Sequence, residues 1–412
     1  MEFIADFHIH SKYSRATSRD MDVKNLAHWA KLKGITLMGT GDFTHHLWLE
    51  ELKHNLEDCA NGLYKYNGIY FVLTSEVSSI YSKRGKVYRI HNVIFAPSFK
   101  TVDKINEKLS RIGNLASDGR PILGLDAAEL ARIVFDIDEN CMIVPGHIWT
   151  PWFSLFGSMS GFDKIEDCFE EQTKNIFALE TGLSSDPAMN WRLSALDKFT
   201  LISNSDSHSP QKIGRESNVF NCELDYKTIR DVLRTKDKSR FLYTVEFFPE
   251  EGKYHFDGHR TCGIRWSPQE TKEHNGRCPK CGRQVTVGVV NRIEKLADRP
   301  EGFKPEGAIP FKRLIPLDEI IADARGVAKT SISVAREYQA ALAKLGTEFE
   351  ILMRLTKNDL LKGLSPKAVE GILRVREGKV DIKAGFDGEY GTISIFDTNQ
   401  TQDKSEEQLN LF

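Results

Sequence analysis

His8 and His10 stand two residues apart, directly after the short apolar run Phe3-Ile4-Ala5. In an extended chain alternate residues face the same way, so both imidazoles can reach one metal ion from just past a buried strand. The pairing of strand end and ligand recurs along the first half of the chain. Asp42 and His45 follow the run 35–38, Glu76 follows 69–73, and His91 borders 93–95. His147 follows 142–144, Glu180 ends 176–179, and Asp206 and His208 follow 200–202. Imidazole nitrogens mixed with carboxylate oxygens suit zinc, manganese or iron better than magnesium alone. The donors outnumber what one ion can use, which implies a cluster of two or three divalent ions (Zn, Mn or Mg). Neighbouring ions bridged by a carboxylate such as Glu76 can activate water and stabilise an in-line displacement at phosphorus. No nucleophile elbow or Gly-Lys-Ser/Thr phosphate loop competes with metal-assisted phosphoester hydrolysis.

These ligands need a scaffold that gathers strand ends. Residues 1–235 alternate β-branched or aromatic runs with helical stretches, which predicts a βα-repeat and a parallel α/β barrel with its site at the C-terminal strand ends. A hydrophobic content of 40% and a charged content of 28% are those of a globular chain. No apolar run reaches membrane-spanning length and no basic-then-apolar leader opens the sequence, so a cytoplasmic, membrane-free protein is expected. The net charge of −2 excludes a globally basic nucleic-acid binder and leaves only local basic surfaces. Cys59, Cys141, Cys168 and Cys222 lie far apart and read as buried thiols of a reducing compartment.

Several segments exceed what a small-molecule hydrolase requires. Trp149, Trp152 and Phe153 crowd the stretch after His147 and could stack on bases at the rim of the site. Lys83, Arg84 and Lys86 form a basic turn between two strands, and Arg192 follows a Ser-Ser-Asp-Pro turn; each could contact phosphate. In residues 236–300, His259 and Cys262 precede a Cys278-Pro-Lys-Cys281-Gly knuckle, the pattern of a tetrahedral structural zinc, with His255 and His274 as rival fourth ligands. A Pro/Gly-rich linker, 301–315, then opens a helical segment reaching residue 395. Residues 396–412 are polar and acidic but end in Gln408-Leu409-Asn410-Leu411-Phe412, apolar anchors without a folding role that suit a partner's groove.

The ordered set His8-x-His10, Asp42 with His45, Glu76, His91, His147 and Asp206-x-His208 resembles the PHP phosphoesterases. That resemblance implies a distorted seven-stranded barrel with one ion on His8, His10, Glu76 and Asp206 and a second on Glu76, His91 and His147. Asp206, Glu76 and His147 would be catalytic, and His45 and His208 could hold a third ion. Leu361-Lys-Gly363-Leu364-Ser365-Pro366-Lys367 resembles a DNA-binding helix-hairpin-helix, with Ser365 in place of the second glycine. By that resemblance the Ser365 and Lys367 region would bind phosphate through hairpin amides. Gln408, Leu409, Leu411 and Phe412 resemble the peptide that docks on the bacterial sliding clamp.

Barrel, knuckle, hairpin and tail, in this order, resemble endonuclease Q of the bacterial type. The implied activity is cleavage 5′ of deoxyuridine, deoxyinosine, deoxyxanthosine or an abasic site, leaving 3′-hydroxyl and 5′-phosphate ends, by a nucleoid-associated monomer. The damaged nucleotide would flip into a pocket between barrel and zinc module. The same barrel would also serve a histidinol-phosphate-type phosphatase, which predicts phosphomonoester turnover and indifference to losing residues 236–412. A non-catalytic DNA- and clamp-binding adaptor predicts missing ligands, whereas the set here is complete.

Overall fold

The computed structural model describes residues 1–396; the clamp-like anchors Gln408, Leu409, Leu411 and Phe412 lie outside the described residues. Strand β1 (Glu2–Asp6) pairs in parallel with β2 (Leu37–Gly39), which pairs in parallel with β3 (Ile69–Lys83). β4 (Lys86–Ala96) runs antiparallel to β3, and β5 (Met142–Pro145) antiparallel to β4. β6 (Ala178–Glu180) and β7 (Thr200–Ile202) form a parallel pair. The Ile148 amide ties the end of β5 to β6 by donating to the Glu180 carbonyl (3.1 Å). β7 leads back to β1: Asn204 Oδ1 accepts the Phe7 amide at 2.9 Å, and Ile9 bridges Ser207.

Two departures from the expected parallel repeat have physical causes. The expected runs 69–73 and 93–95 belong to one long hairpin, because Arg84 (φ 50°) and Gly85 (φ 77°) make a tight left-handed turn with no helix between the strands. The sheet also extends past residue 235. β8 (Ser217–Asn221) pairs antiparallel with β1, β9 (Phe241–Glu246) antiparallel with β8, and β10 (Phe311–Arg313) parallel with β9.

Side chains alternate between two apolar clusters, as a strand period of two requires. Phe3, Ala5, Phe7, Val72, Val93, Phe95, Val144, Ala178 and Ile202 share one cluster. Helix Tyr226–Thr235 closes it at the N-terminal strand ends through Ile229, Val232 and Leu233, and Thr200 Oγ1 donates to the Leu233 carbonyl at 2.6 Å. Ile4, Met38 and Ile94 fall in the other cluster, with Leu26, Ala27 and Ala30 of helix Val23–Lys33. Cys141, Cys168 and Cys222 are buried as expected; Cys59 is only half-buried. Among the described residues, no helix is long and apolar enough to cross a membrane.

The C-terminal segment is helical, with Leu317–Arg325, Ile332–Leu345, Glu348–Met353 and Pro366–Arg376. It is anchored to helix Val23–Lys33 by a buried ion pair, Lys33 Nζ to Glu348 Oε2 at 3.0 Å, with side chains 6% and 5% exposed. Glu348 also accepts from the Leu317 amide (3.0 Å) and the Tyr338 hydroxyl (2.7 Å). Gly34 makes the approach possible: a Cβ there would lie 2.6 Å from Thr347 Oγ1. Burial alone would raise the Glu348 carboxyl, but Lys33 and the Tyr338 hydroxyl hold its pKa below the ordinary value. A depressed folded-state pKa contributes stability above the unfolded-state value, and that stability is lost as pH falls through the folded one. Glu348→Gln should therefore cost about 3 kcal/mol near neutrality, since Lys33 is left buried without its counter-charge. It should also flatten the fall in stability below about pH 4.5. Urea unfolding of both proteins across pH 3–7 checks this; parallel pH profiles would rule out the assignment.

Candidate metal centre

Glu76 sits mid-strand on β3, and the β3–β4 register puts His91 on the same face, diagonally across the hairpin. Its carboxylate is fully buried, and each oxygen serves a different group of donors. His10 Nε2 and His8 Nε2 lie 3.3 and 3.6 Å from Oε2. His91 Nδ1 and His147 Nε2 lie 2.6 and 3.1 Å from Oε1. Asp206 Oδ1 completes the first group, 3.1 Å from His10 Nε2 and 3.8 Å from His8 Nε2. Donors about 2.1 Å from a common ion lie roughly 3.0–3.5 Å from one another, so both groups have the spacing of a coordination shell. His8 Nε2, His10 Nε2 and Asp206 Oδ1 are buried and make no hydrogen bond, as donor atoms aimed at a cation would be. The residues present fit a divalent ion in each group.

The rear of each ring is fixed. His10 Nδ1 meets Asp42 Oδ1 at 3.0 Å, and His8 Nδ1 meets the Glu180 carboxylate at 3.0 Å. Glu180 also accepts from the His147 amide (2.7 Å) and Asn204 Nδ2 (2.8 Å). Burial opposes protonation of both rings, yet Glu180 and Glu76 raise His8, and Asp42 and Asp206 raise His10, well above the ordinary imidazole value. Burial would likewise raise Glu76, but His91, Arg120 and His8 hold it well below the usual carboxylate range. Asp42 (φ 49°), His147 (φ 30°) and Asp206 (φ 45°) all occupy the left-handed region. Such conformations cost about 1–3 kcal/mol each and persist where the surroundings over-determine them. At His147 the partner is Gly182, whose Cβ would lie 2.4 Å from that of His147.

Four of the strand-end candidates fall outside both groups, Glu180 standing behind His8. Asp42 stands behind His10 and not beside it, because Oδ2 is taken by the Ser11 amide (2.6 Å), Ser11 Oγ (2.7 Å) and Ser14 Oγ (2.9 Å). His45 stacks on Tyr13 at 4.6 Å. His208 lies 4.5 Å from the His10 ring, with Nδ1 on its own neighbour's carbonyl, Asp206 O, at 2.9 Å. One side chain escaped the sequence reading: Arg120, whose Nη1 is 3.2 Å from Glu76 Oε2. No periodicity or spacing marks it.

A third donor group gathers elsewhere. His259, Cys262, Cys278 and Cys281 bring their ligand atoms within 4.8 Å of one another. The rivals do not join them: His274 stacks on Trp266 at 4.4 Å, and His255 is buried beside Phe256.

The expected nucleic-acid contacts divide. Trp149 is fully buried against Phe156 and donates to Asn190 Oδ1 at 2.7 Å, so it packs the loop from beneath and cannot stack on a base. Trp152 and Phe153 remain half-exposed, against Tyr254 (5.3 Å) and His91 (4.9 Å) respectively. Lys83 is neutralised by Glu170 (2.5 Å) and Asp126 (3.4 Å), and Lys86 donates to the Gly161 carbonyl, while Arg84 is exposed at the turn. Arg192 is spent on Glu294 at 2.5 Å. The Ser365 amide, the hairpin's candidate phosphate donor, already donates to Glu337 Oε1 at 3.0 Å, and exposed Lys367 lies over Phe396.

Sheet and donor groups define an α/β protein with a carboxylate-bridged imidazole cluster, a Cys₃His group and a helical C-terminal segment. Residues 316–379 match the family described as the MJ0043 C-terminal domain. Two solved structures superpose over almost the whole chain. One is the lesion-specific endonuclease Q of Pyrococcus furiosus (31% identity, TM-score 0.86, covering 98% of this chain and 99% of that one). The other is endonuclease Q bound to a 27-mer duplex with an abasic lesion at its active site (32% identity, TM-score 0.85, covering 96% and 97%). An uncharacterised protein of Methanocaldococcus jannaschii is 34% identical over 272 residues, and this chain spans a third (33%) of that protein's length. The uncharacterised YqxK of Bacillus subtilis is 28% identical over 408 residues, 98% of its length. The chain belongs to the endonuclease Q family.

The burial of Trp149 yields a direct check. Trp149→Ala should cost about 3–5 kcal/mol in urea unfolding, as large buried aromatics do, and leave the DNA affinity of the folded protein unchanged. An unmoved unfolding midpoint with weakened DNA binding would contradict the packing role.

Proposed function

We propose that this protein is a metal-dependent DNA repair endonuclease. It would hydrolyse the phosphodiester 5′ of uracil, hypoxanthine, xanthine or an abasic site and leave 3′-hydroxyl and 5′-phosphate ends. The observation that carries the reading is the shared carboxylate of Glu76, one oxygen in each of two donor groups, on a chain of the endonuclease Q family. We read β1–β7 as the distorted seven-stranded PHP-type barrel. Residues 1–235 would form the catalytic part, 236–300 a zinc-binding part, 301–395 the helical part and 396–412 a clamp-binding tail. In this reading the protein works as a monomer on DNA in the cytoplasm, and the lesion base leaves the stack for a space beside the zinc-binding part.

His8, His10, Glu76 and Asp206 would hold one divalent ion, and Glu76, His91 and His147 a second. Bound there, such ions lower the pKa of water and offset charge on the reacting phosphoryl group. Asp42 and Glu180 keep the His10 and His8 rings turned so that Nε2 faces the site. In the net reaction one water is consumed: its oxygen bonds to phosphorus, the bond to O3′ breaks, and a proton ends on the departing O3′.

End-labelled duplexes with a single uracil, hypoxanthine or abasic site test the reading against an undamaged control. One cut just 5′ of the lesion is expected with added divalent metal, abolished by chelator and by Asp206→Asn. Asp42→Asn should reduce cleavage by roughly 10–100-fold, since it only misdirects a ligand. Intact duplexes alongside turnover of a phosphomonoester would point to a phosphatase instead. Cys281→Ser should lower bound zinc by one equivalent and lower the melting temperature, because a small module with little core takes folding energy from its metal. Unchanged metal content by mass spectrometry would refute the zinc assignment.

A further inference from the structure

We propose that Arg120 binds the scissile phosphate and stabilises the charge that builds on its non-bridging oxygens during cleavage. This rests on the nuclease reading above and assigns its phosphate-binding group. Arg120 Nη1 reaches Glu76 Oε2 at 3.2 Å, the oxygen that His8 and His10 also approach. Glu76 is the one residue common to both donor groups, so Arg120 meets the centre where they join. Among the described residues it is the one Lys or Arg side chain ion-paired with a member of either group.

Charge balance explains why a cation should stand there. Four carboxylates converge on the centre: Glu76 and Asp206 in the donor groups, Asp42 and Glu180 behind the rings. Two divalent ions would neutralise these four negative charges. The nearby Asp118 carboxylate is paired with Arg15 (3.4 Å), so Arg120 is then a surplus positive charge, and one phosphodiester brings one negative charge to meet it. Its exposure agrees. The Arg120 side chain is 26% exposed whereas Glu76 is fully buried, so Arg120 spans from the buried carboxylate to solvent. Only Nη1 donates a side-chain hydrogen bond among the described residues, which leaves Nε and Nη2 for a ligand. The planar fork of a guanidinium matches two phosphate oxygens.

The loop that carries Arg120 is pinned on both sides. The Gly119 amide donates to the Tyr13 carbonyl (3.0 Å), Thr44 Oγ1 donates to the Gly119 carbonyl (3.2 Å), and the Ser78 amide donates to the Pro121 carbonyl (3.0 Å). Gly119 presses on the rear of the centre: a Cβ there would lie 2.3 Å from Asp42 Oδ2. A donor fixed before the reaction costs no reorganisation when charge develops.

The test compares Arg120→Ala and Arg120→Lys in the full chain. Single-turnover cleavage of an abasic-site duplex, bound metal by mass spectrometry and duplex affinity by fluorescence anisotropy are read side by side. Arg120→Ala should cleave about 100-fold or more slowly, as loss of one such donor does elsewhere. Its metal content should match wild type, and added guanidinium should restore part of the rate. Arg120→Lys should recover only a small part, since a point charge lacks the fork. Cleavage by Arg120→Ala within threefold of wild type overturns the assignment, as does metal loss in step with activity, which would make Arg120 only a support for Glu76. A wild type that leaves lesion duplexes whole overturns the nuclease reading itself, and this role with it.

Discussion

A buried carboxylate shared by two sets of donors is the constraint around which this molecule is built. A carboxylate as enclosed as Glu76 pays a desolvation cost of several kcal/mol unless positive charge surrounds it. Four imidazoles and one guanidinium converge on its two oxygens, from the end of β1, the hairpin strand β4, the turn after β5 and the loop around residue 120. The geometry of four separate chain segments therefore has to agree at one point. That requirement accounts for the left-handed backbone at His147 and Asp206 and for the close fit of Gly182 beneath His147.

A second layer of carboxylates makes the arrangement specific. Asp42 and Glu180 do not face the centre, yet they decide which nitrogen of His10 and His8 does. This layer is the part that residue types could not reveal. An aspartate after a strand reads as a ligand whether it meets the metal or the back of a ligand. What separates the two is that the Ser11 amide and two serine hydroxyls claim Asp42 Oδ2, a contact between chain segments.

The donors that do converge were legible for a simple reason. A strand period of two and the habit of α/β proteins to gather function at strand ends are both visible in sequence. Arg120 was not legible because it sits in a Gly-Arg-Pro loop with no period, held by long-range contacts. Trp149 misled because an aromatic-rich loop looks alike whether its rings face solvent or pack beneath it. The β3–β4 hairpin hid because its two expected strands are only the apolar ends of a longer pairing, whose middle, Ser75 to Ser82, is rich in small polar residues.

The later segments are built into the first one physically. Arg292, from helix Val289–Leu296, is buried and donates to the carbonyls of Phe156 (2.8 Å) and Phe162 (2.9 Å), in the aromatic loop that follows His147. Arg313 of β10 pairs with Asp186, which is fully buried beyond the end of β6. Removing everything after residue 235 would strip β9 from β8, leave Asp186 buried without its cation and release the loop beside the metal centre. Such a truncation would damage a phosphatase and a nuclease alike. The two readings therefore cannot be separated by asking whether residues 1–235 work alone, although the sequence invited that question. They separate only on which phosphoester the intact chain turns over, and under the nuclease proposal the half-exposed Trp152 and Phe153 and the partly exposed Arg120 would suit a large, singly charged diester rather than a small monoester.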